Sequence, residues 1–316
     1  MPDCFGRRLS VLTWLTCLAL WVAACSDGGA EGDMTQPAPT ADECDSTSVL
    51  EDGVCRTFAA RIDARAETPF FENGQPLSLE VVLFKPLSEG RFPAVLFNHG
   101  STGSGSDPAL FGATFTSKAV AEFFVAHGWL VAFPQRRGRG RSDGLYDEGF
   151  TPDRSGYSCE QDPALAGADR ALDDIDVATD WLRSRADLDT TRLLVGGTSR
   201  GGILALALAA HRPEVYLGAI NFVGGWLGEG CGDDLSVNRT LFVSGAAFAG
   251  PSVWLYGAND SFYGLAYSRS NFDAFSQAGG LGAFHEFTRA PGLDGHFLIN
   301  DPELWASAME EFLGRL

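Results

Sequence analysis

Beyond residue 128 the chain sets short runs that are almost free of polar positions between longer stretches of helical spacing. Residues 129–134, 193–196, 217–223 and 253–256 are such runs, and continuous apolarity over four to seven positions predicts strands buried on both faces. Between them, residues 164–186 carry Ile175, Val177, Ala178, Trp181 and Leu182 at helical spacing, residues 201–211 are rich in Ala and Leu, and residues 302–313 predict a closing helix. Strand and helix in alternation predict an α/β fold, a mostly parallel sheet covered by helices on both sides. Upstream, residues 77–85 alternate and then become apolar after an Asn73-Gly74 turn signal, and residues 93–98 follow another glycine turn. These two read as a hairpin-like start to the sheet.

A different pattern occupies the first 24 residues. Arg7 and Arg8 precede an apolar run over residues 9–24, and Cys25 follows. A basic start, an apolar middle and small residues at the end are the architecture of a signal peptide. The run is shorter than the roughly 20 residues a helix needs to span a bilayer, which weighs against a permanent transmembrane anchor. Val22-Ala23-Ala24-Cys25 resembles the lipobox of bacterial lipoproteins, in which the cysteine is lipidated and becomes the mature N-terminus. Residues 26–42 are Gly, Ala, Pro, Thr and acids with almost nothing to bury, as in a tether. The expected organisation is therefore a signal over residues 1–24, a tether over 25–45 and one catalytic domain over 46–316. The expected location is the bacterial cell envelope, facing the periplasm or the exterior, with a lipid on Cys25 as the only membrane attachment.

Export changes how the cysteines are read. Cys4 and Cys17 would leave with the signal and Cys25 would carry lipid, so that Cys44, Cys55, Cys159 and Cys231 remain. An even number in an exported chain favours disulfides over free thiols, and of three connectivities the simplest pairs Cys44 with Cys55 and Cys159 with Cys231. Net charge is −18, and removal of two arginines and one aspartate with the signal makes the remainder more negative still. Such a surface repels nucleic acid and anionic lipid. Arg136, Arg137, Arg139 and Arg141 form one basic cluster, but without interleaved aromatics it reads as a structural turn.

The candidate chemistry centres on Gly197-Thr198-Ser199-Arg200-Gly201-Gly202, between a predicted strand and a predicted helix. Gly-x-Ser-x-Gly in that context is a nucleophile elbow. The turn is tight enough to strain the serine backbone, and only glycine fits two residues either side. The following helix aims its N-terminal amides at the serine, which makes the Arg200 N–H a candidate oxyanion donor. Ser101, in the turn Asn98-His99-Gly100-Ser101 after the preceding strand, is the candidate for the second. The glycines over residues 100–105 form a poor phosphate cradle, since the P-loop lysine and the dinucleotide spacing are both missing.

A serine hydroxyl needs a base, and the base needs an orienting carboxylate. Of five histidines, His296 alone lies late in the chain in a turn, Asp294-Gly295-His296-Phe297. His99, His127, His211 and His285 fall where structural roles are usual. Asp260, after the apolar run 253–256, gives the order Ser, Asp, His, and Asp294 is its competitor. No His-Glu-x-x-His helix and no zinc-type cysteine spacing occurs, so neither metal nor cofactor is expected.

With these residues in place the chain resembles the α/β-hydrolase superfamily, and within it the dienelactone-hydrolase and prolyl-oligopeptidase-like branch. The blocks that carry the resemblance are Phe92-Pro93-Ala94-Val95-Leu96-Phe97-Asn98-His99-Gly100, Gly128-Trp129-Leu130-Val131-Ala132-Phe133-Pro134 with Arg137-Gly138-Arg139-Gly140-Arg141-Ser142, the elbow, Asp260 and His296. It implies a Ser199–His296–Asp260 triad, an acyl-enzyme and hydrolysis of an ester, lactone or related acyl bond in a small molecule. Dienelactone hydrolases proper carry a cysteine where Ser199 stands, which argues against lactones. With about 50 residues between Cys25 and the first core strand there is no propeller-sized domain, so esters are expected over peptides. Residues 146–163 and 224–250, the latter with Trp226 and Phe248, are expected to shape the pocket, joined by a Cys159–Cys231 disulfide. The rival from another class is a non-catalytic envelope lipoprotein that binds a ligand with the same fold.

Overall fold

A computed structural model describes Thr40 and residues 44–316. The expected signal, most of the tether and the lipidation candidate Cys25 lie outside the described residues. The folded body begins with a small antiparallel pair, β1 (Ser48–Glu51) and β2 (Val54–Thr57), closed by the Cys44–Cys55 disulfide. Cys44 and Asp45, read above as the end of the tether, are thus fastened to this pair, with Asp45 also accepting from Thr47 N–H at 2.9 Å.

The core is an eight-stranded sheet built from β3 (Ala60–Glu72), β4 (Gln75–Lys85), β5 (Phe92–Asn98), β6 (Leu130–Pro134), β7 (Leu188–Thr198), β8 (Gly218–Phe222), β9 (Ser252–Gly257) and β10 (Gly282–Phe287). Its order is β10-β9-β8-β7-β5-β6-β4-β3. The six strands from β10 to β6 pair parallel, and β4 and β3 complete one edge antiparallel. Helices α1 (Lys118–Ala126), α2 (Gln161–Arg183), α3 (Arg200–His211), α4 (Asp234–Gly245), α5 (Leu265–Gln277) and α6 (Pro302–Leu313) connect or follow the strands. The mostly parallel, helix-covered sheet is the expected architecture. The wholly buried strands β6, β8 and β9 are three of the apolar runs that predicted it.

The expected hairpin of residues 77–85 with 93–98 is not formed. Asn73-Gly74 instead joins β4 to the 13-residue β3, Asn73 at φ 50° and Gly74 at φ 74°. β5 pairs parallel with β6 and β7. The reason is the pattern itself: β3 alternates exposed and half-buried positions as an edge strand does, so it lacks the apolar run that marks a central strand, while β5 is too apolar to leave a face in water.

Candidate active site

Each candidate residue sits where a parallel strand ends, the end of the sheet at which open α/β folds hold ligands. β7 runs directly into Ser199, which caps α3 with φ 55° and ψ −124°. This strained turn is held by Ser199 N–H donating to Phe222 O at 2.9 Å and Gly225 N–H donating to Ser199 O at 3.3 Å. The glycines on either side are required for a slightly different reason than expected. A Cβ on Gly197 would lie 2.3 Å from the Gly201 carbonyl, and one on Gly201 would lie 2.2 Å from Asn98 O. The collision is with neighbouring backbone rather than with the serine. Arg200 is the first residue of α3, so its N–H has no intrahelical acceptor and faces the serine end of the helix.

Asp260 follows β9, and His296 is the second residue of a 3-10 turn, Gly295–Asn300, after β10. The two loops meet because Gly257 and Gly295 lack side chains: a Cβ on Gly295 would lie 2.2 Å from Ala258 O. His296 Nδ1 lies 3.0 Å from Asp260 Oδ2 and 3.1 Å from Oδ1. Asp260 Oδ1 also accepts the N–H groups of Phe262 at 2.7 Å and Tyr263 at 2.9 Å, which fixes the carboxylate in its loop. Asp294, the competitor, faces elsewhere: it accepts from Ser261 Oγ at 2.6 Å and from the backbone N–H of His296 at 2.9 Å.

Ser199 and His296 line one cavity of about 350 Å³, together with Gly100, Ser101, Arg139 and Phe297. A second cavity of about 260 Å³ shares Ser101, Gly103 and Phe262 with it, and is walled by Tyr157, Trp226 and the cysteines Cys159 and Cys231. Those two cysteines are bonded, so the disulfide joins the two expected pocket segments beside the site. Trp226 lines this second cavity as expected. Phe248 does not line either of these cavities but is buried in the core, because residues 234–245 form α4 rather than a pocket loop.

Two of the other histidines, His99 and His127, hold structure. His99 is buried, and burial first, then the charges of Arg136 and Arg139, push its imidazole well below the usual histidine range. It is therefore neutral, and since its Nε2 accepts the Arg136 N–H at 3.2 Å, its Nδ1 carries the proton and donates to Gly100 O at 2.7 Å. His127 caps α1 with Nδ1 2.7 Å from Phe123 O. Three arginines of the basic cluster are also structural, whereas Arg139 lines the cavity of Ser199 and His296. Arg136 pairs with Glu148, Arg137 with Asp174 and Arg141 with Glu80.

Several neighbours of the site carried no sequence signal. Tyr263 is buried, and its phenol is pushed up, by burial first. Glu148 is buried among Arg136, Arg200 and Tyr146. Each comes from a loop whose sequence gives neither spacing nor motif, and only the folded chain brings it to the elbow. Among the described residues no group of three or more His, Cys, Asp and Glu side chains converges as metal ligands, and no helix is long and apolar enough to cross a membrane.

Comparison with known proteins agrees with this fold. Residues 160–227, from α2 through the elbow to Leu227, match the prolyl oligopeptidase family. None of the curated protein sequences compared with the chain matches it. Among solved structures, the chain is similar to the Pyrococcus furiosus esterase Pf2001, with 16% identity over 81% of this chain and 91% of that one and a TM-score of 0.57. It is similar to Est1E from Butyrivibrio proteoclasticus, solved with ferulic acid, with 16% identity over 77% and 96% and a TM-score of 0.53. It also resembles the Pyrococcus horikoshii acylaminoacyl peptidase, with 15% identity over 74% of this chain but only 38% of that one and a TM-score of 0.51. At these identities the likeness is one of fold: the chain has the α/β-hydrolase fold, and the proteins it resembles are hydrolases by name.

Proposed function

We propose that this protein is a serine hydrolase that cleaves a carboxylic ester or related acyl bond in a small molecule. The observation that carries the reading is the meeting, around one cavity, of a strained Ser199 at an elbow with an imidazole whose Nδ1 is held by Asp260.

In this reading Ser199 Oγ attacks the acyl carbon while His296, through Nε2, takes the hydroxyl proton, and Asp260 holds the imidazole tautomer and stabilises the cation that forms. The Arg200 and Ser101 N–H groups receive the negative charge that develops on the carbonyl oxygen. The proton passes to the departing alkoxide, leaving an acyl-enzyme on Ser199. Water activated by His296 then releases the acid. The reading needs neither metal nor cofactor.

The match of residues 160–227 to the prolyl oligopeptidase family favours a second reading, a serine peptidase of the prolyl-oligopeptidase-like type. The non-catalytic reading is disfavoured because a pure binder has no need to keep nucleophile, base, acid and elbow glycines together. The disulfides are compatible with an exported protein, and we place it at the cell envelope, held by lipid on Cys25.

One experiment separates these readings. The purified protein and its Ser199→Ala variant are assayed on p-nitrophenyl esters of increasing chain length and on N-acyl peptide p-nitroanilides, with fluorophosphonate labelling. Ester turnover and labelling in wild type alone support the esterase. Preference for the anilides supports the peptidase. A folded wild type that neither labels nor turns over leaves the binding protein.

A further inference from the structure

The loop that faces Ser199 and the helix that follows it come from distant parts of the chain, yet both are fastened to one side chain that the mechanism does not touch. Glu148 is 2% exposed. One of its carboxylate oxygens takes Arg136 Nε, and Arg136 in turn donates from Nη1 to His99 O at 2.9 Å and from Nη2 to Gly100 O at 3.3 Å. Gly100 is the residue packed on the nucleophile, a Cβ there lying 3.0 Å from Ser199 Cβ. The other carboxylate oxygen lies 3.5 Å from Arg200 Nη1, which also donates to Glu148 O at 3.0 Å, while Arg200 Nε donates to Trp226 O at 3.0 Å. The guanidinium of Arg200 lies between the rings of Tyr157 and Trp226, 3.7 and 4.3 Å from their centroids.

A third tie runs through hydroxyls. Tyr146 donates to Glu148 Oε2 at 3.1 Å, and Tyr146 and Tyr157 hydroxyls lie 2.6 Å apart. The Tyr157 oxygen receives the Thr102 N–H at 3.2 Å and lies 3.0 Å from Thr102 Oγ1. An ionised carboxylate only accepts, so Tyr146 must point its proton at Glu148, Tyr157 must donate to Tyr146, and the Tyr157 oxygen is left to accept from Thr102. The charge on Glu148 thereby sets the direction of each hydroxyl bond along this chain out to Thr102. Its own place is fixed by α2, where a Cβ on Gly167 would lie 2.2 Å from the Glu148 backbone.

Resting on the serine-hydrolase reading, we propose that Glu148 is a positioning residue that sets the spacing between the two oxyanion donors, acting through Arg136 and Tyr157 on the loop and through Arg200 on the elbow. A buried ion cluster is a poor source of net stability, because the charges lose their hydration. What it supplies here is geometry, since each donor must stand within a few tenths of an ångström of where the oxyanion forms.

The test is Glu148→Gln in the full chain, which keeps the shape, removes the charge and lets the amide reverse the hydroxyl chain. Active sites are counted by fluorophosphonate titration and rates are expressed per titrated site. The expected result is a fall in kcat of about 10- to 100-fold, below the full cost of losing an oxyanion donor, with KM within about threefold. A trifluoromethyl ketone, which forms a tetrahedral adduct on Ser199, should lose affinity by the same factor as kcat/KM.

A merely structural role would lower the number of titratable sites and the melting temperature while leaving kcat per site and ketone affinity unchanged, and that result overturns the proposal. Should Glu148→Gln not fold, Tyr157→Phe removes the tie to Thr102 without touching a charge. It should lower kcat per site at constant KM, and an unchanged kcat overturns the proposal equally. A wild type that fails to label in the same titration removes the serine-hydrolase reading and this proposal with it, whereas an active wild type beside an equally active Glu148→Gln removes the proposal alone.

Discussion

Asp260 holds the side chain of His296, with Oδ2 3.0 Å from Nδ1, whereas Asp294, only two residues away in sequence, holds the backbone N–H of the same histidine. The two carboxylates that compete on the sequence are thus divided between orienting the ring and shaping its turn. Asp260→Asn should leave the geometry and reverse the tautomer preference, lowering kcat by about 10³- to 10⁴-fold, the scale known for a triad aspartate. Asp294→Asn should keep most of the rate, within about tenfold, and cost at most about 1 kcal/mol as a weakened turn cap. Steady-state kinetics of both variants on one ester decide the assignment, and comparable losses would count against Asp260 as the sole orienting group.

The backbone of Ser199, at φ 55°, predicts an opposition between stability and activity. A non-glycine residue held in so sparsely populated a region costs about 1–3 kcal/mol. Ser199→Gly relieves that strain but loosens the unfolded chain by about 0.5–1 kcal/mol, so the variant should be more stable than Ser199→Ala by about 1 kcal/mol. Both should be inactive. Calorimetric melting of the pair reads the difference directly, and a glycine variant that melts below the alanine variant would show that the turn is unstrained.

The fold was legible where burial is one-sided or complete. β6, β8 and β9 are apolar throughout because helices cover both faces, and Ser199, Asp260 and His296 stand out because strand ends, a glycine pair and chain order mark them. β3 was not legible, since an edge strand half in water alternates like many loops. Nor was Glu148: nothing in the stretch from Tyr146 to Pro163 announces that its carboxylate turns inward to two guanidiniums contributed from 12 and 52 residues away. Such side chains are placed by long-range packing, and a pattern read in one dimension contains no record of it.

The Cys159–Cys231 disulfide closes a loop of 72 residues and walls the second cavity. By the chain-entropy account a loop of that length is worth about 4 kcal/mol, with measured losses of 2–5 kcal/mol for native bridges. Cys159→Ser with Cys231→Ser should lower stability by about 2–4 kcal/mol on that scale. It should also flatten the preference among ester chain lengths, while kcat on the shortest ester stays within about threefold, because Ser199, His296 and Asp260 are held by other bonds. Denaturant titration and the ester panel test the two halves separately. A chain-length profile identical to wild type would show that the second cavity does not receive substrate.

Stability should fall in acid, and Glu148 should account for part of the slope. Burial alone would raise its carboxyl, but the charge of Arg136, the hydrogen bond from it and the charges of Arg200 and Arg139 prevail and hold it below its ordinary 4.5. A group whose folded-state value lies below its unfolded one contributes stability that is complete above the unfolded value and is lost as pH falls through the folded value. The contribution is therefore full above about pH 4.5 and declines below it, as protonation of Glu148 leaves Arg136 and Arg200 without their shared counter-charge. Asp294, held low by Ser261 and the His296 N–H although burial opposes it, and Glu72, held low by the Leu145 N–H and Arg170 against the same opposition, act in the same direction. Urea midpoints measured between pH 3 and 7 should fall steeply below about pH 4.5 in wild type and less steeply in Glu148→Gln, which starts lower and has one fewer proton to gain. Parallel curves would mean that the Glu148 carboxyl is no more acidic in the folded chain than in the unfolded one.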